Sequence, residues 1–296
     1  MAHADANGIQ IAYETFGEAA DPALLLIIGF SGQMIWWDDE LCRDLARRGH
    51  YVIRFDNRDA GLSTKFDKSG SPDFKATFGR LLKGEKVSIP YSLEDMADDA
   101  VGLLDALGIG RAHICGMSMG GMIAQTIAIR HPSRVLSLIS IYSSTGNPDL
   151  PRPTPEAMKV LMTAPPADRE GFIEYQMRVR KILSGPGFAI DEAWVREIMA
   201  QSYDRCFCPQ GAGRQLLAIL TQTDRRPALA DLKAPTLVIH GTDDPLVPVE
   251  AGKDTARSIP GAELMLIEGM GHDIPHGGAW PRIVEAIAAH TQKTAA

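Results

Sequence analysis

Short runs of apolar residues without polar interruption, each followed by a stretch of helical periodicity, restrict this chain more than any other feature. Ala23-Leu24-Leu25-Leu26-Ile27-Ile28 is continuously apolar and closes on Gly29. A run that short with no solvent-facing side suits a strand covered on both faces, as in a parallel sheet. Strand patterns recur at residues 51–55, 112–115, 135–141, 235–240 and 263–267. Helical patterns fall between them at residues 37–48, 92–108 and 119–130, and a last amphipathic helix lies near residues 280–290. Ser92 followed by Asp95 reads as a cap with an acidic first turn. Strand and helix in alternation imply an α/β fold, a mostly parallel sheet with helices on both faces. Ahead of it, residues 7–16 alternate around Ile9, Ile11 and Tyr13 and read as a half-exposed edge strand.

The alternation breaks between residues 146 and 228, which hold nine of the 19 prolines and offer only helical periodicity. Phe172, Gln176, Val179 and Leu183 recur at helical spacing, as do Trp194 with Ile198 and Val195 with Met199. Residues 146–228 are therefore expected to form a helical lid inserted into a core of residues 1–145 and 229–296. A length of 296 residues suits one large domain with such an insertion. The net charge of −7 argues against a nucleic-acid binder, because affinity for a phosphate backbone depends on clustered cations. The longest apolar run, residues 23–30, is far short of the roughly 20 residues that span a bilayer. The N-terminus lacks a basic start followed by an apolar stretch, so a soluble, cytoplasmic protein is expected. Four cysteines, Cys42, Cys115, Cys206 and Cys208, are too few for a disulfide scaffold and suit a reducing compartment.

Gly116-Met117-Ser118-Met119-Gly120 matches G-x-S-x-G, in which a serine sits on a crowded strand-to-helix turn that small flanking residues relieve. The pattern alone is weak, but here an apolar strand precedes it and a helix-forming run follows. A serine hydroxyl is a poor nucleophile at neutral pH, so it needs a histidine base held by an acid. Two later strand ends offer them: Gly241-Thr242-Asp243-Asp244-Pro245 and Gly269-Met270-Gly271-His272. Ser118, Asp244 and His272 all follow strands of the same sheet edge. Asp243 is the rival for the acid, with the other carboxylate then capping the next turn. His276 reads as a surface or cap histidine, and His113 and His240 as structural histidines in buried strands. His3, His50, His131 and His290 lie at termini or element ends. Attack on an ester carbonyl creates an oxyanion. Two backbone N–H donors are expected to meet it, from Met119 and from Phe30 in the loop after the first buried strand.

With these residues in place the chain resembles the α/β-hydrolases over nearly its whole length. Ile28-Gly29-Phe30-Ser31-Gly32 stands where many relatives have a His-Gly pair. Residues 56–63, Asp56-Asn57-Arg58-Asp59-Ala60-Gly61-Leu62-Ser63, resemble the D-x-R-x-x-G-x-S turn, and the Gly269–His272 segment is similar to the family's histidine loop. The group it resembles most is the aclacinomycin methylesterase-like hydrolases, which share a first strand ending without that histidine, a G-x-S-M-G elbow and a G-M-G-H loop. The resemblance implies Ser118, Asp244 and His272 as the triad and the Phe30 and Met119 N–H groups as the oxyanion hole. Ile28 removes a side chain that often braces the oxyanion loop. Ser118 also excludes the aspartate-nucleophile chemistry of dehalogenases and epoxide hydrolases.

The expected activity is therefore a serine carboxylesterase acting on small to medium hydrophobic esters, with a small-molecule substrate and neither cofactor nor metal. Lactone hydrolysis, perhydrolysis and carbon–carbon cleavage use the same triad and stay open, as does a non-turnover receptor or a scaffold with a vestigial site. The acidic cluster Glu94, Asp95, Asp98 and Asp99 is explained by helix-dipole stabilisation rather than metal binding. Cys206-Phe207-Cys208 lacks two further zinc ligands at suitable spacing. The methionines Met34, Met117, Met119, Met122, Met158 and Met162 read as core filling or as an adaptable pocket wall. Trp36 and Trp37 read as pocket lining or as a helix-start anchor. Arg178, Arg180, Lys181, Arg225 and Arg226 read as a solvated helix face.

Overall fold

A computed structural model describes residues 1–70, 79–80, 85, 87–276 and 278–293. It begins with two strands where one is expected. β1 (Ala2–Ala6) and β2 (Ile9–Phe16) form an antiparallel hairpin in which Ala6 faces Ile9. Asn7 and Gly8 both have positive φ, 49° and 76°, the conformation that two-residue hairpin turns require and that Asn-Gly tolerates best. Residues 7–16 are thus a turn and a strand, and β1 rather than β2 takes the sheet edge.

The chain continues through β3 (Ala23–Ile27), α1 (Asp39–Arg47), β4 (Tyr51–Phe55), α2 (Leu93–Ala106), β5 (Ala112–Met117), α3 (Met119–Arg130) and β6 (Val135–Ile141). The inserted helices follow: α4 (Pro155–Met162), α5 (Arg169–Leu183), α6 (Glu192–Arg205), α7 (Pro209–Leu220) and α8 (Arg226–Leu229). Then come β7 (Thr236–Gly241), α9 (Val249–Ser258), β8 (Glu263–Ile267) and α10 (Trp280–Lys293). The sheet runs β1-β2-β4-β3-β5-β6-β7-β8, antiparallel at the first two pairings and parallel from β4 to β8. Helix α1 starts later than its apolar pattern because the Asp38 carboxylate accepts from the Glu40 N–H and caps it there. Ser92 and Asp95 make the expected capping box on α2.

The apolar runs have the double-sided burial they imply. In β3, Leu25 and Ile27 pack with Met96 and Leu103 of α2 and Ile123 of α3 in one core layer. Leu24 and Leu26 pack with Leu41 and Leu45 of α1 and Ile283 and Ile287 of α10 in the other. The inserted helices carry a smaller cluster of their own, Phe172, Ile173, Met177, Val195, Ile198 and Met199. The buried stripe of α5 is therefore Phe172, Ile173 and Met177, one face over from the expected Gln176, Val179 and Leu183, because it is α6 that α5 packs against.

The arginines singled out between residues 178 and 226 do not share one solvated face. Arg225 is buried and donates to Gln125 Oε1 (3.1 Å), Gln222 Oε1 (3.0 Å) and the Ser144 carbonyl (2.6 Å). Trp37 is wholly buried in the core, and Met158 and Met162 are exposed rather than core filling. Among the described residues no helix is long and apolar enough to cross a membrane.

The chain leaves β3 for β4 on one side and later returns to place β5 on the other. The sheet therefore has a switch point between the C-terminal ends of β3 and β5, where open α/β sheets leave a crevice.

Candidate active site

Ser118 sits at that switch point, between β5 and α3, with φ 54° and ψ −122°. A non-glycine residue in this region is strained, and strain persists only where surroundings over-determine it. Here the Ser118 N–H donates to the Ile141 carbonyl (2.9 Å), and its own carbonyl accepts from the Gly121 N–H (2.9 Å) and the Ser143 hydroxyl (2.7 Å). The flanking glycines are required sterically. A Cβ on Gly116 would lie 2.0 Å from the Gly120 carbonyl oxygen, and one on Gly120 would lie 2.1 Å from that of Ile27. The elbow can thus drive the start of α3 against the end of β3.

The loop after β7 supplies the carboxylate. Asp244 Oδ1 accepts from the N–H groups of Leu246 (2.8 Å) and Val247 (2.7 Å), which leaves Oδ2 aimed at His272. Asp243 faces solvent instead, where it accepts from the Thr242 hydroxyl (2.5 Å) and the Gly269 N–H (3.1 Å). Of the two candidates, Asp244 is the one that meets the histidine.

His272 stands on the loop after β8. Its Nδ1–H donates to Asp244 Oδ2 over 2.7 Å, leaving Nε2 to accept from the Ser118 hydroxyl at 2.9 Å. The Tyr142 ring packs against the imidazole, with centroids 4.7 Å apart. His240 lies 3.6 Å from Asp244 Oδ2 but commits Nε2–H to the Val247 carbonyl (2.8 Å). Burial lowers its proton affinity, so it packs behind the carboxylate as a neutral ring. His113 bonds to the Ser137 hydroxyl (2.8 Å), and burial pulls its pKa down to about 4. His276 stacks on Trp194 and bonds to Asp191 (3.1 Å), away from Ser118.

Met119 opens α3, where first-turn N–H groups have no intrahelical acceptor. The other expected donor, Phe30, lies in a loop pressed on Ser118, since a Cβ on Gly29 would come within 3.1 Å of the Ser118 Cβ. The Gly29 carbonyl turns inward to accept from the Gly32 N–H (3.2 Å). In a trans peptide the C=O and N–H point in opposite directions, so the Phe30 N–H faces out of that turn.

Sequence reasoning missed what holds this loop in place of a histidine at position 28. Asn57 Nδ2 donates to the Ile28 carbonyl (3.0 Å), and the Ser31 N–H donates to Gln215 Oε1 (2.9 Å) on the inserted helix α7. Gln33 reaches α6, donating to the Ser202 (2.6 Å) and Cys206 (3.0 Å) carbonyls. It also missed the support of the histidine loop by the end of α5. There the His272 N–H donates to the Leu183 carbonyl (2.8 Å), the Ser184 hydroxyl to Asp273 Oδ2 (2.6 Å), and the Gly187 N–H to the Gly269 carbonyl (2.9 Å). Among the residues that hold the two loops only Asn57 belongs to a motif, the D-x-R-x-x-G-x-S turn, so that turn alone offered a signal. Cys206 and Cys208 carry free thiols.

Comparison with known proteins agrees with this architecture. A family described by the alpha/beta hydrolase fold matches residues 22–279. The chain is 31% identical to the rhodomycin D methylesterase DauP of Streptomyces sp. (strain C5) and 30% identical to DnrP of Streptomyces peucetius, covering 94% of each chain in both pairs. A thermophilic esterase from Thermogutta terrifontis superposes with a TM-score of 0.70 at 25% identity, covering 99% of this chain and 98% of that one. The strained serine elbow at the sheet's switch point and the match across the core make this chain a member of the α/β-hydrolase family.

Proposed function

We propose that the protein is a serine carboxylesterase, and that its substrates are methyl or other small-alcohol esters of hydrophobic acids. The observation that carries the reading is the unbroken chain from the Ser118 hydroxyl through His272 to Asp244, at 2.9 and 2.7 Å. Ser118 Oγ attacks the ester carbonyl as His272 Nε2 takes its proton, and Asp244 stabilises the imidazolium. The oxyanion is met by the Met119 and Phe30 N–H groups. Collapse expels the alcohol, which takes the proton from His272 and leaves an acyl group on Ser118. Water, deprotonated by the same histidine, then releases the acid. The helices between residues 146 and 228 serve as the lid over the core of residues 1–145 and 229–296. The small leaving alcohol is supported by the similarity to the two rhodomycin D methylesterases.

The test is a panel of p-nitrophenyl esters and methyl esters of acids of increasing bulk. Ser118→Ala and His272→Ala are each expected to lower kcat by about 10⁴-fold or more while the far-UV circular dichroism spectrum is kept. Activity near wild type in either variant would refute the assignment.

A further inference from the structure

We infer that Gln215, on the inserted helix α7, is a positioning residue for the oxyanion loop, so that the insertion sets catalytic geometry as well as covering the site. The inference deepens the esterase reading and rests on it. Gln215 is fully buried, and both ends of its amide are used. Its Oε1 accepts the Ser31 N–H at 2.9 Å, and its Nε2–H donates to the Arg58 carbonyl at 2.8 Å.

The peptide that carries the Phe30 N–H is thereby fixed from both sides. On one side Asn57 holds the Ile28 carbonyl (3.0 Å). On the other Gln215 holds the Ser31 N–H, at a residue whose φ of 54° places it in the left-handed region, unfavourable for a side-chain-bearing residue. Such a conformation needs an external tie, and Gln215 supplies it. Without it the Ser31 peptide is free to relax toward negative φ, which rotates the Gly29-Phe30 turn and moves the donor away from the oxyanion. The neighbouring residues of α7 anchor that helix: Arg214 makes a bidentate pair with buried Asp59 (2.7 Å for each bond), and Asp59 also accepts from the Tyr91 hydroxyl (2.6 Å). Gln215 therefore reaches the loop from a rigid base.

The test compares Gln215→Leu and the longer Gln215→Met, which remove a strong acceptor, with Gln215→Glu, which keeps one toward Ser31. Leu217→Ala, a buried site on the same helix, is the control for stability alone. The expected result for the leucine and methionine variants is at least a tenfold slower labelling of Ser118 by a fluorophosphonate. Their kcat on p-nitrophenyl acetate falls likewise, with KM within about threefold and the pH profile unshifted, because His272 and Asp244 are untouched. Gln215→Glu labels faster than Gln215→Leu although it buries a charge, an order that a merely structural role would reverse. Leu217→Ala labels at the wild-type rate. Equal labelling by wild type and whichever of the two acceptor-free variants folds would overturn the inference, and so would an equal loss in Leu217→Ala. Hydrogen exchange of residues 28–33 gives a readout independent of activity. Protection there drops in the acceptor-free variants but not in Leu217→Ala, and unchanged protection overturns the inference even if wild-type Ser118 does not label. Failure of wild-type labelling with lost protection would overturn the esterase reading alone.

Discussion

At the scale of single residues, two adjacent carboxylates in one turn have opposite environments. Asp244 is shielded and tied by two backbone N–H groups, whereas Asp243 is exposed and braces Gly269. Replacing Asp244 by Asn keeps the shape but puts an NH₂ or a neutral oxygen against His272 Nδ1 and disturbs its tautomer. A fall in kcat of about 10³ to 10⁴ is expected. Asp243→Asn should stay within about fivefold of wild type, since it loses only a surface tie. Steady-state kinetics of the two variants side by side decide the matter, and equal losses would mean that the acid role is shared. In the proposed mechanism Phe30 acts through its N–H rather than its ring. Phe30→Pro should therefore lower kcat far more than Phe30→Ala.

At the scale of elements, the inserted helices are joined by backbone to the loop that carries His272. The segment after α5 and the histidine loop approach so closely that a Cβ on Gly185 would lie 2.3 Å from the Gly269 carbonyl oxygen. One on Gly271 would lie 2.2 Å from that of Leu183. Gly185→Ala must push the two segments apart and carry His272 with them. Because displacements near 1 Å can cost about a hundredfold in rate, a kcat loss between tenfold and a hundredfold is expected. The melting temperature should fall by only a few degrees, since both core layers lie elsewhere. Full activity in a folded Gly185→Ala protein would show that the contact does not position His272.

At the scale of the whole molecule, buried histidines set the response to acid. His50, His113, His240 and His290 are all buried, and burial depresses the proton affinity of each. The unfolded chain binds their protons below about pH 6.5, whereas folded His113 does so only near pH 4. Across that interval the unfolded state holds more protons, so stability falls as the pH drops from 6.5 to 4. The His113 contribution has a ceiling on the order of 3 kcal/mol, from a shift of about 1.4 kcal/mol per pH unit. Urea midpoints measured from pH 7 to 4 should fall steeply for wild type and less steeply for His113→Asn. Parallel curves would mean that His113 ionises alike in both states.

The sequence by itself determined the alternating α/β architecture, the elbow and the chain order of Ser118, Asp244 and His272. Each rests on local signals: an apolar run between breakers, glycines at a crowded turn, residues placed just beyond strand ends. Asn7-Gly8 was equally local, but the alternation that runs on through Ile9 hid the hairpin and with it the true edge strand. What only the tertiary structure decided depends on contacts between residues far apart in the chain. Asp243 and Asp244 carry the same functional group, and only the direction in which the turn after β7 aims each one separates them. Gln215 lies 184 positions from Ser31, and nothing about a glutamine in a helix says which backbone amide it will meet. Periodicity reports which face of a helix is apolar, not what the polar residues between will touch, and the support of the Phe30 and His272 loops is made of such polar contacts.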